Sequence, residues 1–191
     1  MSIALVTPPG EEPVTVAEVK AAARIETDAE DAYLTGLISA ARQVAENEIA
    51  GKLIEQTWDL YLDAFPAAEI EIPAPLRPLR SVVSVTYLDA AGVGQTVSAS
   101  DYTVDTHQPT GWLIPDDAFY WPDTYAGANA VRVRVTVGYA ADAAGVDAAV
   151  KLWLKAMAAH WYDSRAAASD RPQAASPFLA GLLDPYRLIT V

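Results

Sequence analysis

The sequence of 191 residues contains no cysteine. That excludes disulfides, thiolate metal sites and cysteine nucleophiles, and makes a reducing, intracellular origin the expectation. Histidine occurs only at His107 and His160. There is no H-E-x-x-H, no G-x-S-x-G and no glycine-rich phosphate loop, so the common catalytic constellations are missing. Positive charge is scarce: 13 Lys and Arg stand against 25 Asp and Glu, a formal net charge of −12. Tight nucleic-acid binding needs clustered cations to displace counterions from phosphates, which this balance disfavours. No apolar run approaches the ~20 residues of a membrane span. The opening MSIALVTPPGEEP lacks the basic start and sustained apolar run of a signal peptide. The expectation is a soluble protein with no membrane partner. Its length suits one domain, or a domain with a large insertion, able to bury roughly 70% of its unfolded surface.

What is present is organised around Val146 to Arg165, VDAAVKLWLKAMAAHWYDSR. At the helical period Val150, Leu154, Met157 and Trp161 form one apolar stripe, with Trp153 and His160 along its edge. Asp147 is placed as N-cap, and Arg165 in the last turn meets the negative end of the helix dipole. Leu152, Ala156 and Ala159 make a second, smaller apolar strip, so this helix can touch two neighbours. Upstream, Thr15 and Glu18 have capping-box spacing ahead of a short helix over about 16–24. Thr27 and Glu30 repeat the pattern before a long helix carrying Leu34, Leu37, Ile38, Ala41, Val44, Ala45 and Ile49 on one stripe, with Gly51 as its stop. Glu48 falls on the apolar side of that helix and has no explanation in the sequence.

Between these helices the texture changes to short β-branched and aromatic runs separated by Pro, Gly, Asp and Asn. Strands are expected at 57–62, 69–72, 81–88, 102–104, 112–114 and 131–137, with a hairpin turn at Asp89 to Gly92. VRVRVTV alternates strictly, as a half-buried antiparallel strand does, and exposes Arg132 and Arg134 on one face. The fold class is therefore α+β: a small helical bundle (short N-terminal helix, long helices about 28–50 and 147–165) with an inserted antiparallel β region and an extended C-terminal arm. The division is 1–53 for the N-terminal helices, 54–139 for the β insertion, 140–165 for the core C-terminal helix, 166–177 for a polar linker and 178–191 for the arm.

Candidate chemistry is sparse. His160 reads as a structural histidine beside Trp153, and His107 as a loop residue. Asp116, Asp117 and Asp123, among Trp121, Pro122 and Tyr125, contain carboxylates suited to a hard cation but without EF-hand spacing, and read as a solvated loop or an aromatic contact patch. No catalytic, cofactor-binding or metal residue is assigned and no cofactor is expected. Two other functions stay open: an enzyme using the loop from Trp112 to Tyr125, or a DNA-binding regulator, which lacks a basic recognition face because Lys151, Lys155 and Arg165 make only a modest strip.

Several motifs occur in an order that carries a resemblance: Lys20 and Arg24, D-A-Y-L from Asp31, A-A-R ending at Arg42, Gln56-Thr57-Trp58, the Tyr87 to Gly92 hairpin, and A-H-W-Y-x-x-R from Ala159 to Arg165. Together they resemble the gp6-like adaptor family of tailed phages, prophages and gene transfer agents. The resemblance implies a structural, non-enzymatic head–tail connector assembled in the host cytoplasm and located in the particle neck. Its implied form is a homo-oligomeric ring of twelve subunits beneath the portal protein, joined to a stopper or tail-completion protein, through whose channel DNA passes without specific binding. In that setting Leu152, Ala156 and Ala159 are the expected inter-subunit strip. Phe178, Leu179, Leu182, Leu183, Tyr186, Arg187, Leu188, Ile189 and Val191 are the expected portal-binding residues of the arm, unless the arm folds back on its own subunit.

Overall fold

The computed structural model describes residues 1–164, 179 and 181–188. The chain divides into a helical unit, residues 10–54 and 140–191, and a β unit, residues 1–9 and 55–139.

In the helical unit, α1 (Val16–Ala23) starts at the foreseen capping box. The Glu18 N–H donates to the Thr15 hydroxyl at 3.2 Å, and the Thr15 N–H donates to the Glu18 carboxylate at 2.8 Å. The second capping box does not form, and α2 (Asp31–Ile49) begins beyond it. Its side chains have other partners: the Thr27 hydroxyl accepts from Ala29 N–H at 3.2 Å, the Lys20 ammonium pairs with Asp28 and Asp31, and Glu30 accepts from the Tyr162 hydroxyl. At the other end the left-handed residue is Ala50, at φ 51°, rather than the predicted glycine. The Gly51 N–H then donates to the Glu46 carbonyl at 3.0 Å, closing a Schellman-type end one residue earlier.

The third helix, α3 (Ala148–Asp163), buries Val150, Trp153, Leu154 and Ala158. Its stripe is turned from the expected one: Met157 and Trp161 are only half-buried, and His160 is exposed rather than set in the core edge. Both α1 and α2 pack on α3, so the buried face is centred between two neighbours, on Trp153 and Leu154. Arg165 lies outside the described residues. Val19, Leu34, Ile38, Ala41, Ala45, Ile49 and Leu183 complete this core. The described part of the arm thus folds back on its own helices. It includes a 3-10 turn, Asp184–Tyr186, in which Pro185 stands in the first turn instead of ending a helix. Residues 166–177 of the expected linker lie outside the described residues.

The β unit holds β1 (Ser2–Thr7), β2 (Gln56–Leu62), β3 (Ile70–Ile72), β4 (Leu79–Leu88), β5 (Gly94–Val97), β6 (Tyr102–Asp105), β7 (Gly111–Pro115) and β8 (Val131–Val137). They form an antiparallel five-stranded sheet in the order β1-β2-β8-β4-β5 and a three-stranded sheet in the order β3-β7-β6. Leu60, Val85, Val131, Val133, Val135 and Leu113 are fully buried, and along β8 the buried valines alternate with half-buried Arg132, Arg134 and Thr136. Residues 2–7 therefore belong to the sheet and to the β unit, whereas the sequence division groups 1–53 with the N-terminal helices. Neither β1 nor β5 was foreseen, because SIALVT and GQTV do not alternate and β1 pairs with a strand some fifty positions away. Gly111 is required by proximity: a Cβ there would lie 2.3 Å from Leu79 Cδ2.

Candidate functional site

The sites foreseen in the sequence are surfaces, and the structure treats each differently. On α3 the second apolar strip is available. Leu152 is 45% exposed, and Ala156 and Ala159 are half-buried. The flanking Lys151 and Lys155 act on Glu18, whose carboxyl is held below its usual range, chiefly by the Thr15 N–H and more weakly by the two ammonium groups. The basic strip is thus answered by an acid of its own unit.

The arm is committed to its own helices over much of its described length. Leu183 is fully buried in the helical core, and Leu179, Leu182 and Tyr186 pack against it. The Tyr186 hydroxyl donates to the Asp147 carboxylate. Asp147 occupies the N-cap of α3 without making a side-chain capping bond. Arg187 pairs with Glu48 at 2.9 Å and with Asp184 at 3.0 Å. Leu188 is half-buried, while Phe178, Ile189 and Val191 lie outside the described residues.

In the loop from Trp112 to Tyr125, Phe119 and Trp121 pack against neighbouring aromatic rings. Trp121 stacks on Phe65 with ring centroids 4.9 Å apart and an interplanar angle of 7°. Phe119 meets it edge-on at 5.5 Å, and its indole N–H donates to the Ala68 carbonyl at 2.6 Å. Asp116 accepts from the Thr103 hydroxyl at 3.1 Å, while Asp117 and Asp123 are exposed. Among the described residues no three His, Asp or Glu side chains are grouped to hold a metal ion. The exposed His107 bonds its neighbour Asp105, through its N–H at 2.8 Å and its ring at 3.2 Å.

Sequence reading missed a buried ionic chain in the helical unit. Arg42 pairs with Glu12 at 2.7 Å and with Glu46 at 3.3 Å, and Lys52 lies 3.6 Å from Glu46. Glu46 also accepts from the Leu53 N–H at 3.2 Å. Arg42 and Glu46 are at i,i+4 spacing, a signal that was legible but reads equally as an exposed pair. Also missed was the outer edge of the five-stranded sheet, where all six residues of β1 are exposed.

The sequence model for phage gp6-like head-tail connector proteins matches residues 13–111. The chain belongs to that family. This connector protein also matches solved structures over its whole length. One is a chain in the neck of an empty gene transfer agent particle computed with C6 symmetry, with a TM-score of 0.83, 25% identity, and 100% of this chain and 97% of that chain covered. Another is a chain in the virion of a native gene transfer agent particle, at 0.82, 25% and the same coverage. A third, from the neck of a native gene transfer agent particle computed with C12 symmetry, at 0.76, 23% identity and the same coverage, shares the fold. No curated protein sequence matches the connector. Its role is structural, and among its described residues no helix is long and apolar enough to cross a membrane.

Proposed function

We propose that this connector is a subunit of a homo-oligomeric ring, of twelve copies, in the neck of a phage-like particle. It sits beneath the portal protein, meets a stopper or tail-completion protein on its other side, and continues the DNA channel. The observation that carries this reading is the full-length likeness to a neck chain at a TM-score of 0.83. Ring closure needs two different patches that meet head to tail, and Leu152, Ala156 and Ala159 are proposed to supply one of them. The net charge of −12 suits a channel, since carboxylates facing a lumen repel phosphate and let DNA slide. The arm is proposed to meet the portal with side chains its own core leaves available, among them Leu188 and Arg187. Leu183 is withdrawn from that role, because its side chain is fully buried in its own subunit. An enzymatic role is not proposed, since the loop from Trp112 to Tyr125 is held by aromatic packing.

The test is electron microscopy of the full chain mixed with portal-bearing heads. A ring at the portal mouth is the expected result. Heads that stay bare at saturating connector sink the reading.

A further inference from the structure

Among the described residues the five-stranded sheet ends in the edge strands β1 and β5, and we propose that they join one copy of this chain to the next: β1 of one subunit adds to β5 of its neighbour. This rests on the ring reading above and names a contact within it.

The first support is the state of β1. Its sequence SIALVT contains no charged residue and no proline, and every residue is exposed. Edge strands are normally blunted by charge, proline or brevity, because a row of free N–H and C=O groups captures other strands. Here charge and proline are absent, and the one irregularity, a register shift between Leu5 and Thr7, leaves Ser2 to Leu5 as a regular edge, which suits an edge that is covered in the working assembly.

The second support is the register. Ile3, Leu60, Val133, Val85 and Val97 lie opposite one another across the whole sheet. The row is buried from Leu60 to Val97 but ends in Ile3 at 37% exposure, with Leu5 beside it at 48%. The inner apolar face thus runs out uncovered at the β1 edge. A neighbour's β5, which carries Val97 at the far end of the same row, continues it.

The third is direction. Four antiparallel steps separate β1 from β5, so the two edges run the same way. A β1-to-β5 contact is then parallel and head to tail, the relation that closes rings, whereas β1 pairing with β1 antiparallel gives a twofold dimer and consumes the edge. Charge selects the same surfaces. Copies that each carry −12 repel, and GQTV, like SIALVT, is uncharged, so these edges can approach at low electrostatic cost.

Ile3→Lys with Leu5→Lys places charges where side chains are already exposed. The melting temperature should stay as in wild type while rings on portal-bearing heads are lost. The absence of native cysteine allows a second measurement. Ser2 and Thr96 lie in one row on the sheet's other face, through Tyr61, Arg132 and Thr86. Ser2→Cys with Thr96→Cys in one chain should give, on oxidation of assembled rings, a ladder of covalent multimers, while either substitution alone gives monomers. The inference is overturned by lysine variants that still form rings. It is equally overturned by wild-type-like assembly of the cysteine variant without a ladder, or by Ser2→Cys alone giving dimers. A wild-type chain that forms no ring overturns the proposed function itself.

Discussion

Arg187 donates from Nη2 to Glu48 Oε2 at 2.9 Å, joining the C-terminal arm to the end of α2 across 139 positions of sequence. Glu48, the acid that the sequence pattern sets on the apolar side of the long helix, is exposed at the helix exit and pairs with the arm. Both partners are more than a third exposed, with side chains at 41% and 38%, so the bond itself is worth only about 0–1 kcal/mol. The anchor beneath it is Leu183. Leu183→Ala should lower stability by about 2–5 kcal/mol, measured as a shift of the denaturant midpoint, because it empties a fully buried site. An unchanged midpoint would show that the arm is not part of the subunit's core.

The rotation of α3 sets a contrast between two tryptophans. Trp153, at 3% exposure, should cost about 3–5 kcal/mol on replacement by Ala, whereas Trp161→Ala, at a half-buried position, should cost clearly less. Paired denaturation curves decide the order, and equal losses would contradict the helix orientation.

Glu46 is 3% exposed between Arg42 and Lys52, themselves 8% and 7% exposed. Glu46→Ala leaves Lys52 and one side of Arg42 without their carboxylate and removes the acceptor of the Leu53 N–H. The expected loss is about 3–5 kcal/mol, since removing one member of a buried ionic chain is far costlier than losing a surface pair. Thermal melts of Glu46→Ala and of a triple variant, apolar at all three sites, test this. A triple variant less stable than the single one would refute the argument from the broken ionic chain.

Asp59 accepts two bonds from Arg134, Nε to Oδ1 at 2.7 Å and Nη2 to Oδ2 at 2.9 Å. The Arg134 guanidinium holds the Asp59 carboxyl below the usual carboxylate range. Its folded value lies under the unfolded value of about 3.9, so the folded state binds fewer protons between the two. The contribution is complete above that unfolded value and lost as pH falls through the folded one. Stability followed from pH 5 to 2 should fall less steeply in Asp59→Asn than in wild type. Parallel curves would remove Asp59 from the acid response.

Free connector should bind duplex DNA negligibly near physiological salt, given 13 cations against 25 anions. A stable gel-shift complex at micromolar protein would favour the regulator reading.

Local chemistry determined much of this protein. The Thr15–Glu18 capping box, the alternation of VRVRVTV, the turn closed by Gly92 at φ 79° and the uninterrupted stripe of α2 are each complete within a few residues, so the sequence alone specifies them. The ordered motifs carried the family as well. Tertiary structure decided whatever depends on a distant partner. The run SIALVT becomes a strand only because β2 lies beside it, and Glu30 accepts from the Tyr162 hydroxyl instead of closing a capping box with Thr27. Trp153 rather than Trp161 fills the core because two helices flank α3. The apolar end of the chain was legible as a segment in need of a surface, but which surface was not, since its hydrophobicity is satisfied equally by its own helices or by another subunit. Leu183, shut into the core of its own subunit, is where the packing made that choice.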